Sequence, residues 1–403
     1  MKILEINVTC GNGSTGRICT DIAFLAKQKG HECKVAYGRK TVLDQHKEYA
    51  VQIGGKYGTY ADALKSRIFD NAGFNSKRAT KKFIKWVEEY DPDIIHLHNL
   101  HGYYINVKLL FDYIKKTGKP VIWTLHDCWS FTGHCAHFDQ VGCSQWENGG
   151  CKKCIQKKEY PASSVLSRSQ KNFIEKKNAF LGVKNMHIVT PSEWLGNLVR
   201  RSYLKDYPVH VINNGINLSV FKPTESDFRS RYGIENKTVV LAVASVWTEK
   251  KGFSDFVELS KRLDDRFACV MVGVSEAQKA SLPPSVIAIE RTNSVQELAE
   301  IYSSSDIFVN LTYEDTYPTV NLEAVACGTP IITYPTGGSV EIAESFGGFV
   351  SEKRDVGEIA EIITSKFDEP KKKETVSSDS LKKLDEKERY SEYLELFEAI
   401  LNQ

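Results

Sequence analysis

The stretch Asp315-Thr316-Tyr317-Pro318-Thr319-Val320-Asn321-Leu322-Glu323 separates a predicted buried strand from a predicted helix. The apolar run 306–311 comes before it, and Cys327-Gly328-Thr329-Pro330 comes after it. Proline favours the first turn of a helix, and glycine followed by proline favours its end, so we expect a helix between Pro318 and Cys327. A strand, a turn and a helix in this order form the repeating unit of α/β folds with parallel sheets.

Two carboxylates of this stretch, those of Asp315 and Glu323, are eight positions apart. We expect Asp315 in the loop at the carboxyl end of the strand, and Glu323 on the helix one turn past Thr319. Between them, the helix start offers free backbone N–H groups and the positive end of the helix dipole, which together bind phosphate. Two carboxylates for hydroxyl groups, with an anion site between them, suit a nucleotide sugar. The alternative is an ordinary βαβ crossover with two solvated acids.

Strands alternate with helices along most of the chain, which is typical of α/β proteins. The dividing point lies near 205–208, so we expect two Rossmann-like halves, 1–205 and 206–385, followed by a terminal helix over 386–403. The predicted strands are 2–8, 33–37, 94–98 and 121–125 in the first half, and 239–244, 269–272, 286–289, 306–311 and 330–333 in the second. Helices are predicted between them, for example over 16–29 and 294–303.

The composition is that of an ordinary globular protein, with 403 residues of which 41% are hydrophobic and 26% charged. A net charge of +2 gives no bulk electrostatic reason to bind nucleic acid. No apolar run approaches the roughly 18 residues of a transmembrane helix. Residues 1–8 are too short and too polar for a signal peptide and are predicted to form the first strand. We therefore expect a cytoplasmic protein with reduced cysteines.

The stretch from Asp315 resembles the retaining glycosyltransferases of the GT-B fold, specifically the large family four of the surface and capsular polysaccharide type. Their pattern is a glutamate, seven residues, a second glutamate and a small-residue helix that ends in Gly-x-Pro. Asp315 stands where the family usually has its first glutamate, and the residues from Glu323 to Pro330 match the rest. The segments 190–195 and 211–217 match the family's domain hinge. The resemblance covers nearly the whole chain and implies two Rossmann-like domains that face a central cleft.

The resemblance also implies a role for each part of the chain. Region 206–385 would bind the nucleotide-sugar donor and region 1–205 the acceptor, while the helix 386–403 would cross back to pack on the first domain. Glu323 would hold the ribose, and Asp315 would hold hydroxyls of the transferred sugar. The other donor-binding residues that it implies on this stretch are Thr316, Tyr317, Thr319 and Val320.

A departing diphosphate needs cations or dipoles to stabilise it. The segment Glu249-Lys250-Lys251-Gly252 lies where the family usually shows arginine, four residues, lysine and glycine. Lys251 occupies the lysine position, but Val246 occupies the arginine position. The resemblance implies that Lys251 contacts the diphosphate, with Lys250 or a glycine loop near the N-terminus in place of the arginine. A solvated lysine pair is the alternative.

That glycine loop, Gly11-Asn12-Gly13-Ser14-Thr15-Gly16, formally matches the dinucleotide-binding fingerprint. The fingerprint also requires an acid at the end of the second strand, and this strand ends Tyr37-Gly38-Arg39. NAD is therefore not expected, although Arg39 leaves NADP open. In the family, a glycine loop here lets the backbone approach the donor diphosphate, which implies donor contacts at Gly13 and Ser14. A plain tight turn is the alternative.

Histidines cluster after two strands of the first half. His126 and Asp127 end the strand 121–125, at the edge where α/β proteins bind ligands. The family has a histidine at this place, so the resemblance implies that His126 contacts the transferred sugar or orients the acceptor. Asp127 would act on the acceptor hydroxyl or fix the histidine tautomer. The alternative is a histidine satisfied within a loop. The preceding strand end carries further polar residues that we expect to line the cleft: His96, His98, Asn99 and His101.

Five of the ten cysteines fall between 128 and 154. In a reducing compartment, clustered cysteines suggest zinc more than disulfides. The tentative ligands are Cys135, Cys143, Cys151 and Cys154, with His134 and His137 as spares. A structural zinc would hold together an insertion, about 128–160, that lacks hydrophobic periodicity. No cofactor is expected for the chemistry itself.

We therefore expect a retaining glycosyltransferase of hexosyltransferase type. It would move a sugar from a nucleotide-diphosphate donor to a glycan or lipid-linked acceptor in bacterial surface polysaccharide synthesis. A GT-B nucleotide-sugar epimerase and an inactive, zinc-stapled binding module are the two alternatives.

The helix 77–90 carries a basic face that would suit a peripheral contact with the inner face of the cell membrane. Lysines and one arginine crowd one side of it, opposite an apolar stripe. A lipid-linked acceptor would make such a contact useful. A merely solvated basic face is the alternative.

Overall fold

The computed structural model describes residues 1–147, 149–369 and 377–402, and it divides the chain into two compact units. The first unit consists of Met1–Asn213 and Tyr390–Gln403, and the second of Asn214–Arg389. The division falls after Asn213 instead of near Lys205, because Val209–Val211 adds a last strand to the first sheet. Each unit contains one sheet in which all paired strands are parallel.

The first unit has seven strands in the order β3-β2-β1-β4-β5-β6-β7. The polypeptide runs through β1 (Lys2–Asn7), α1 (Gly13–Gln28), β2 (Glu32–Tyr37), β3 (Ala50–Gln52), α2 (Lys56–Phe69), α3 (Lys77–Tyr90), β4 (Ile94–Leu97), α4 (Val107–Thr117), β5 (Val121–Thr124), α5 (Ser169–Phe180), β6 (Met186–Thr190), α6 (Glu193–Arg201) and β7 (Val209–Val211).

The second unit has six strands in the order β10-β9-β8-β11-β12-β13. Its elements are α7 (Phe228–Arg231), β8 (Thr238–Val243), α8 (Phe253–Arg262), β9 (Phe267–Val272), α9 (Glu276–Ser281), β10 (Val286–Ile289), α10 (Val295–Ser304), β11 (Ile307–Asn310), α11 (Thr319–Ala326), β12 (Ile331–Thr333), α12 (Ser339–Ser345), β13 (Phe349–Val350), α13 (Val356–Lys366) and α14 (Ser378–Leu384). A last helix, α15 (Glu386–Leu401), begins in this unit and continues into the first.

Both sheets have the doubly wound order in which the direction of winding reverses once. The reversal lies between β1 and β4 in the first unit and between β8 and β11 in the second. Ligands of such sheets bind beyond the carboxyl ends of the strands at this point. We therefore expect ligands to bind at the loops that follow these four strands.

Helix α15 completes the core of the first unit. Tyr390, Tyr393, Leu394 and Phe397 are buried against strand residues such as Ile3. Ile400 is the last buried residue of the helix, and Leu401 after it is exposed. The large aromatic side chains of this helix therefore belong to the same core as the first strand of the protein.

The cysteine-rich insertion between β5 and α5 has an aromatic core of its own. Phe131, Phe138 and Trp146 form it, with ring centroids 5.1 Å apart for both pairs that include the tryptophan. Cys135 and Cys151 are buried in the same cluster. Packing of these isolated large side chains explains how a segment without hydrophobic periodicity folds.

Helices α2 and α3 border a groove of about 930 Å³ on the first unit. The inner face of α3 is buried through Phe83 and Val87, while its lysines are exposed. Helix α2 exposes Tyr57, Tyr60 and Leu64, with 89%, 63% and 61% of their surface open to solvent. Of the described helices, none is long and apolar enough to cross a membrane.

Candidate functional site

The loop after β11 and the loop after β8 meet through two ion pairs. Lys250 Nζ lies 2.7 Å from Glu314 Oε2, and Lys251 Nζ lies 2.7 Å from Asp315 Oδ2. The Glu314 side chain is only 4% exposed, whereas those of Lys251 and Asp315 are 40% and 22% exposed. The first pair therefore serves to join the loops, and the second presents one cation and one anion at the surface.

The backbone holds the same two loops in register. The N–H of Tyr313 donates to the carbonyl oxygen of Lys250 at 2.8 Å, and the Thr312 hydroxyl donates to it at 3.2 Å. Gly252 has φ +77°, and a Cβ there would lie 2.4 Å from the carbonyl oxygen of Leu311. A glycine is required at this position because only it allows the loops to come so close.

Helix α11 starts beside the acidic loop. Pro318 precedes it and has no polar side chain to cap it, and no acid lies in its first turn. The helix is anchored by Asn321, whose side-chain oxygen accepts a hydrogen bond of 2.7 Å from the Asn310 amide. Thr319 and Val320 are half-buried at its start. This end of the helix combines open N–H donors with a positive dipole, as an anion site requires.

Glu323 lies in the second turn of α11 and is 7% exposed. Its Oε2 accepts a hydrogen bond of 3.1 Å from the Tyr302 hydroxyl of α10. Burial, together with the charge of Glu323, raises the pKa of Tyr302 well above its usual value, so this hydroxyl keeps its proton and donates. The tyrosine therefore fixes one oxygen of the carboxylate and orients the group.

Thr316 and Tyr317 are buried under the same loop. Their carbonyl oxygens accept hydrogen bonds from the Gly338 N–H at 3.1 Å and from the Asn214 side chain at 3.4 Å. These two predicted donor-binding residues thus hold the loop shape. Val246, at the position of the family's arginine, is 69% exposed.

In the first unit, the glycine loop leads from β1 into α1. The N–H of Gly11 donates to the carbonyl oxygen of Gly16 at 2.9 Å, which closes the loop on itself. Gly13 and Ser14 are exposed at the first turn of the helix. At Gly16, a Cβ would lie 2.5 Å from the Thr9 hydroxyl oxygen, so the close packing of loop and helix requires glycine.

His126 and Asp127 follow β5, but they have different partners. His126 Nε2 lies 3.0 Å from His98 Nδ1, while Asp127 Oδ2 lies 2.7 Å from His101 Nε2. The second oxygen of Asp127 accepts from the Trp129 N–H at 2.8 Å. Burial alone would raise the pKa of Asp127, but His101 outweighs it and holds that pKa at about 2. Asp127 therefore orients His101 and not His126, which differs from one of the two roles that the resemblance implied for it.

Behind His126 lies a buried carboxylate. Glu5 of β1 is fully buried, with Oε1 3.0 Å from His96 Nδ1 and Oε2 2.7 Å from His98 Nε2. Burial would raise the pKa of Glu5, but the two histidines, His96 first, lower it to about 2. An ionised carboxylate thus lies in the centre of the first sheet, next to its point of reversal.

The four cysteines predicted as zinc ligands lie near one another, but their sulfur atoms do not all converge on one point. Cys135 and Cys154 lie in hydrogen-bonding contact, and Cys151 Sγ instead accepts the Gly133 N–H at 3.1 Å. Within the described ranges, one group of three or more potential ligand atoms lies within 4.8 Å of one another, and it contains no cysteine. The arrangement does not fit a four-thiolate zinc site, because tetrahedral coordination needs all four sulfurs around one point.

Sequence reasoning overlooked Glu314, Tyr302 and Glu5. Signals for two of them were present, since Glu314-Asp315 is an acidic pair that mirrors the basic pair Lys250-Lys251, and Glu5 is a charged residue inside an apolar strand. Tyr302 carries no such signal, because its role depends on packing between α10 and α11.

Two protein-family models match the chain one after the other. The model described as "Glycosyltransferase Family 4" matches residues 15–220, and the model described as "Glycosyl transferases group 1" matches residues 224–383. The first match alone covers about half of the chain, and the two together include nearly all elements of both sheets.

Curated relatives are similar over different lengths. A protein of Escherichia coli K12 described as a colanic acid biosynthesis glycosyl transferase, WcaC, is 24% identical over 90% of this chain and 90% of its own. The N,N'-diacetylbacillosaminyl-diphospho-undecaprenol alpha-1,3-N-acetylgalactosaminyltransferase of Campylobacter jejuni is 28% identical over 50% of this chain and 57% of its own.

Solved structures share the fold over the whole chain. A sucrose-phosphate synthase from Thermosynechococcus elongatus superposes with a TM-score of 0.70 at 14% identity, covering 100% of this chain and 99% of its own. Anabaena Alr3699/HepE in complex with UDP gives a TM-score of 0.69 at 15% identity, covering 99% and 100%.

Proposed function

The chain belongs to glycosyltransferase family 4, and on that premise we propose that it moves a sugar from a nucleotide-diphosphate donor to a glycan or lipid-linked acceptor in surface polysaccharide synthesis. The predicted enzyme class, a glycosyltransferase that uses a nucleotide sugar, is confirmed by the family matches. The predicted fold class is confirmed by the two parallel Rossmann-like sheets and by the GT-B structural neighbours.

The observation that carries the proposal is the arrangement around the start of α11. Glu323, oriented by Tyr302, provides a fixed carboxylate for the ribose hydroxyls. Asp315 is half-exposed in the preceding loop and provides an acceptor for hydroxyls of the transferred sugar. The helix start between them supplies N–H donors for the diphosphate. The ribose, diphosphate and sugar sites follow one another in the order in which these groups occur in a nucleotide-diphosphate sugar.

Charge stabilisation of the leaving diphosphate falls to Lys251. Its ammonium has three donors, of which Asp315 uses one, so it can contact a phosphate oxygen at the same time. The neighbouring Lys250 binds Glu314 and so helps to fix the loop that carries Asp315, the partner of Lys251. The charge that develops on the departing phosphate is largest in the transition state, and a cation fixed there acts on the rate.

In the first unit, we assign His126 to the transferred sugar or the acceptor, and Gly13 and Ser14 to the donor diphosphate. The first turn of α1 follows β1 at the sheet's point of reversal, and His126 follows β5, which pairs with β4 on the far side of that point. Asp127 acts indirectly, as the anion that holds His101 beside this loop. No metal is needed for these roles, since amide dipoles and lysine provide the positive charge.

A lipid-linked acceptor is favoured by two observations. The Campylobacter relative is named for an acceptor that carries diphospho-undecaprenol. On this chain, α2 exposes Tyr57, Tyr60 and Leu64, α3 exposes a lysine-rich face, and the two helices border the same groove. Exposed aromatic residues beside basic ones suit the interface of an anionic membrane, so we propose a peripheral contact through these two helices.

A screen of nucleotide sugars for thermal stabilisation, followed by a transfer assay, tests the donor site. The correct donor stabilises the protein by mass action. Glu323→Ala should weaken donor binding, and Asp315→Ala should mainly lower turnover, each by roughly tenfold or more, because a hydrogen bond to a charged group is lost in a desolvated site.

The matched control is Asp264→Ala, which removes an exposed, ion-paired carboxylate of the same unit. This variant should leave the donor affinity and the turnover number unchanged. Wild-type rates in both site variants would contradict the proposed donor site. Consumption of the nucleotide sugar without any acceptor would favour the epimerase, and the absence of both binding and turnover would favour the inactive binding module.

A further inference from the structure

Three side chains form a continuous hydrogen-bonded chain from the middle of the first sheet to its edge. Glu5 lies on β1, His98 directly after β4, and His126 after β5. Glu5 Oε2 is 2.7 Å from His98 Nε2, and His98 Nδ1 is 3.0 Å from His126 Nε2. Glu5 and His98 are fully buried, whereas His126 is half-buried, so the chain leads from the core towards solvent.

The protons in this chain can be assigned from its geometry. An ionised carboxylate only accepts, so the proton of neutral His98 lies on Nε2 and points at Glu5. His98 Nδ1 then carries a lone pair and accepts, which requires the proton of neutral His126 to lie on Nε2. The remaining nitrogen of His126, Nδ1, therefore has a lone pair and can only accept.

The other carboxylate oxygen is held as firmly. Glu5 Oε1 is 3.0 Å from His96 Nδ1, and His96 Nε2 is 2.7 Å from the Thr124 hydroxyl. That hydroxyl lies 3.4 Å from the hydroxyl of Tyr393 on α15. His96 Nδ1 is also 2.9 Å from Glu5 Oε2, so this ring contacts both carboxylate oxygens and helps to hold the group beside His98.

Hydrogen bonding accounts for the Glu5, His96 and His98 group better than metal binding does. Their ligand atoms lie within 4.8 Å of one another, as they would around an ion. Each histidine nitrogen is, however, only 2.7–3.0 Å from a carboxylate oxygen, which is the distance of an N–H···O hydrogen bond. The remaining nitrogens of both rings also have hydrogen-bond partners, Thr124 for His96 and His126 for His98, so every ring nitrogen of the group takes part in a hydrogen-bonded network.

We propose that Glu5 and His98 are positioning residues that hold His126 as a neutral hydrogen-bond acceptor at Nδ1. The inference rests on the proposed function, which brings His126 to the transferred sugar or the acceptor. An Nδ1 acceptor recognises a hydroxyl group, because a hydroxyl donates, and it offers nothing to a phosphate oxygen. The diphosphate is thereby left to Lys251 and the helix starts.

The electrostatic environment agrees with neutral rings. Burial first, and then the neighbouring His96, lower the pKa of His98 to about 4. Burial and His98 likewise lower the pKa of His126 well below its usual value. The other ionisable groups near His126 are Asp127, His96 and His101, of which Asp127 opposes this shift. Both rings of the chain are therefore uncharged at neutral pH.

Nuclear magnetic resonance of the full chain with ¹⁵N-labelled histidine tests the assignment directly. Long-range proton–nitrogen correlations distinguish a protonated from an unprotonated ring nitrogen. At pH 7, we expect His98 and His126 to be neutral and protonated on Nε2. A proton on Nδ1 of His126, or a charged His126 ring at pH 7, would overturn the proposal without any variant.

The variant Glu5→Gln tests the role of the carboxylate. Glutamine keeps the shape but can also present a donor, so the rings of His98 and His126 should lose their single tautomer and exchange between two. The turnover number should fall roughly tenfold or more, while the KM for the nucleotide sugar changes little. Unchanged ring signals in this variant would also overturn the proposal.

The chain offers a matched control in a second histidine pair. His187 Nδ1 is 3.0 Å from His210 Nε2, which is the same contact between ring nitrogens as in the pair His98–His126. This second pair does not belong to the hydrogen-bonded series from Glu5 to His126. His187→Gln should leave the signals of His126 and the turnover unchanged. A wild-type protein that binds no nucleotide sugar would refute the proposed function alone, because the tautomers are measured without substrate.

Discussion

At the residue scale, the two adjacent lysines of the second unit have different tasks. Lys250 faces a carboxylate that is 4% exposed, and Lys251 faces one that is 22% exposed. Removing the partner of a buried charge leaves that charge unpaired, which costs stability. Removing a cation from an exposed pair costs little stability, but at Lys251 it would remove the proposed contact with the diphosphate.

We therefore expect Lys250→Ala to lower the free energy of unfolding by about 1–3 kcal/mol, with a smaller effect on donor affinity. Lys251→Ala should weaken binding of the nucleotide sugar by roughly tenfold or more and leave stability nearly unchanged. Denaturant unfolding and titration calorimetry separate the two effects. Equal loss of stability in both variants would contradict this division of tasks.

The sequence predicted residues whose chemistry depends on local spacing. Asp315 and Glu323 follow from a strand, a turn and a helix, all of which the structure contains. The partners of these residues come from elsewhere along the chain, as Lys251 does for Asp315 and Tyr302 for Glu323. Such contacts depend on how elements pack, so no local pattern encodes them.

At the element scale, the cysteine-rich insertion shows where periodicity stops being informative. Strands and helices repeat every two or 3.6 residues, but a loop core is assembled from single large side chains at irregular positions. Phe131, Phe138 and Trp146 are spaced by seven and eight residues and still meet. The sequence suggested a metal for this insertion, and the aromatic core that the structure shows beside the cysteines could not be predicted from any repeat.

Trp146→Ala should destabilise the first unit by about 3–5 kcal/mol, since it removes a large buried side chain from this core. Phe24→Ala, at an aromatic residue that is 55% exposed, is the control and should change stability by less than about 0.5 kcal/mol. A chelator should not lower the unfolding temperature. A marked decrease with chelator would instead restore the zinc hypothesis.

A buried lysine of helix α5 makes stability depend on pH. Lys176 is 1% exposed, and its Nζ donates to the backbone carbonyl oxygen of Trp129 at 2.5 Å. The same Nζ lies 4.1 Å from the centroid of the Trp129 indole ring. Burial lowers its pKa from the usual 10.5 to about 7. Between these values the unfolded chain binds more protons, so stability rises with pH.

We expect the free energy of unfolding to rise between pH 7 and pH 9, by up to about 1.4 kcal/mol per pH unit from this lysine. Lys176→Met should remove most of that slope, whereas Lys177→Met, at the exposed neighbour, should keep it. Urea unfolding at several pH values provides the measurement. The same slope in both variants would show that Lys176 stays charged in the folded protein up to pH 9, which would contradict the lowered pKa.

At the scale of the whole molecule, the sequence predicted most of the architecture. Alternating strands and helices predicted two parallel sheets, because this order leaves few other ways to bury both faces of each strand. The sequence analysis missed β6, an inner strand of five residues, and also the edge strands β3 and β13, since two or three residues are too few to show a pattern. The extra strand β7 moved the division between the units for the same reason.

The surface formed by α2 and α3 should bind the protein to anionic vesicles. Each exposed lysine near such a surface contributes about 1 kcal/mol, so binding should decrease with added salt. Changing Lys77, Lys81 and Lys85 to glutamate should abolish co-sedimentation. The same change at Lys171, Lys177 and Lys184, which are exposed elsewhere on the first unit, should preserve it. Equal recovery with neutral and anionic vesicles would leave this face as ordinary surface.

The contribution of α15 to the first core has a consequence for how the protein is made. A ribosome produces the first 213 residues, then the whole second unit, and only then Tyr390, Tyr393 and Phe397. Until those residues emerge from the exit tunnel, the nascent first unit leaves the apolar surface that they cover open to water. The unit that is synthesised first therefore completes its hydrophobic core last, and the second unit can fold before that core is complete.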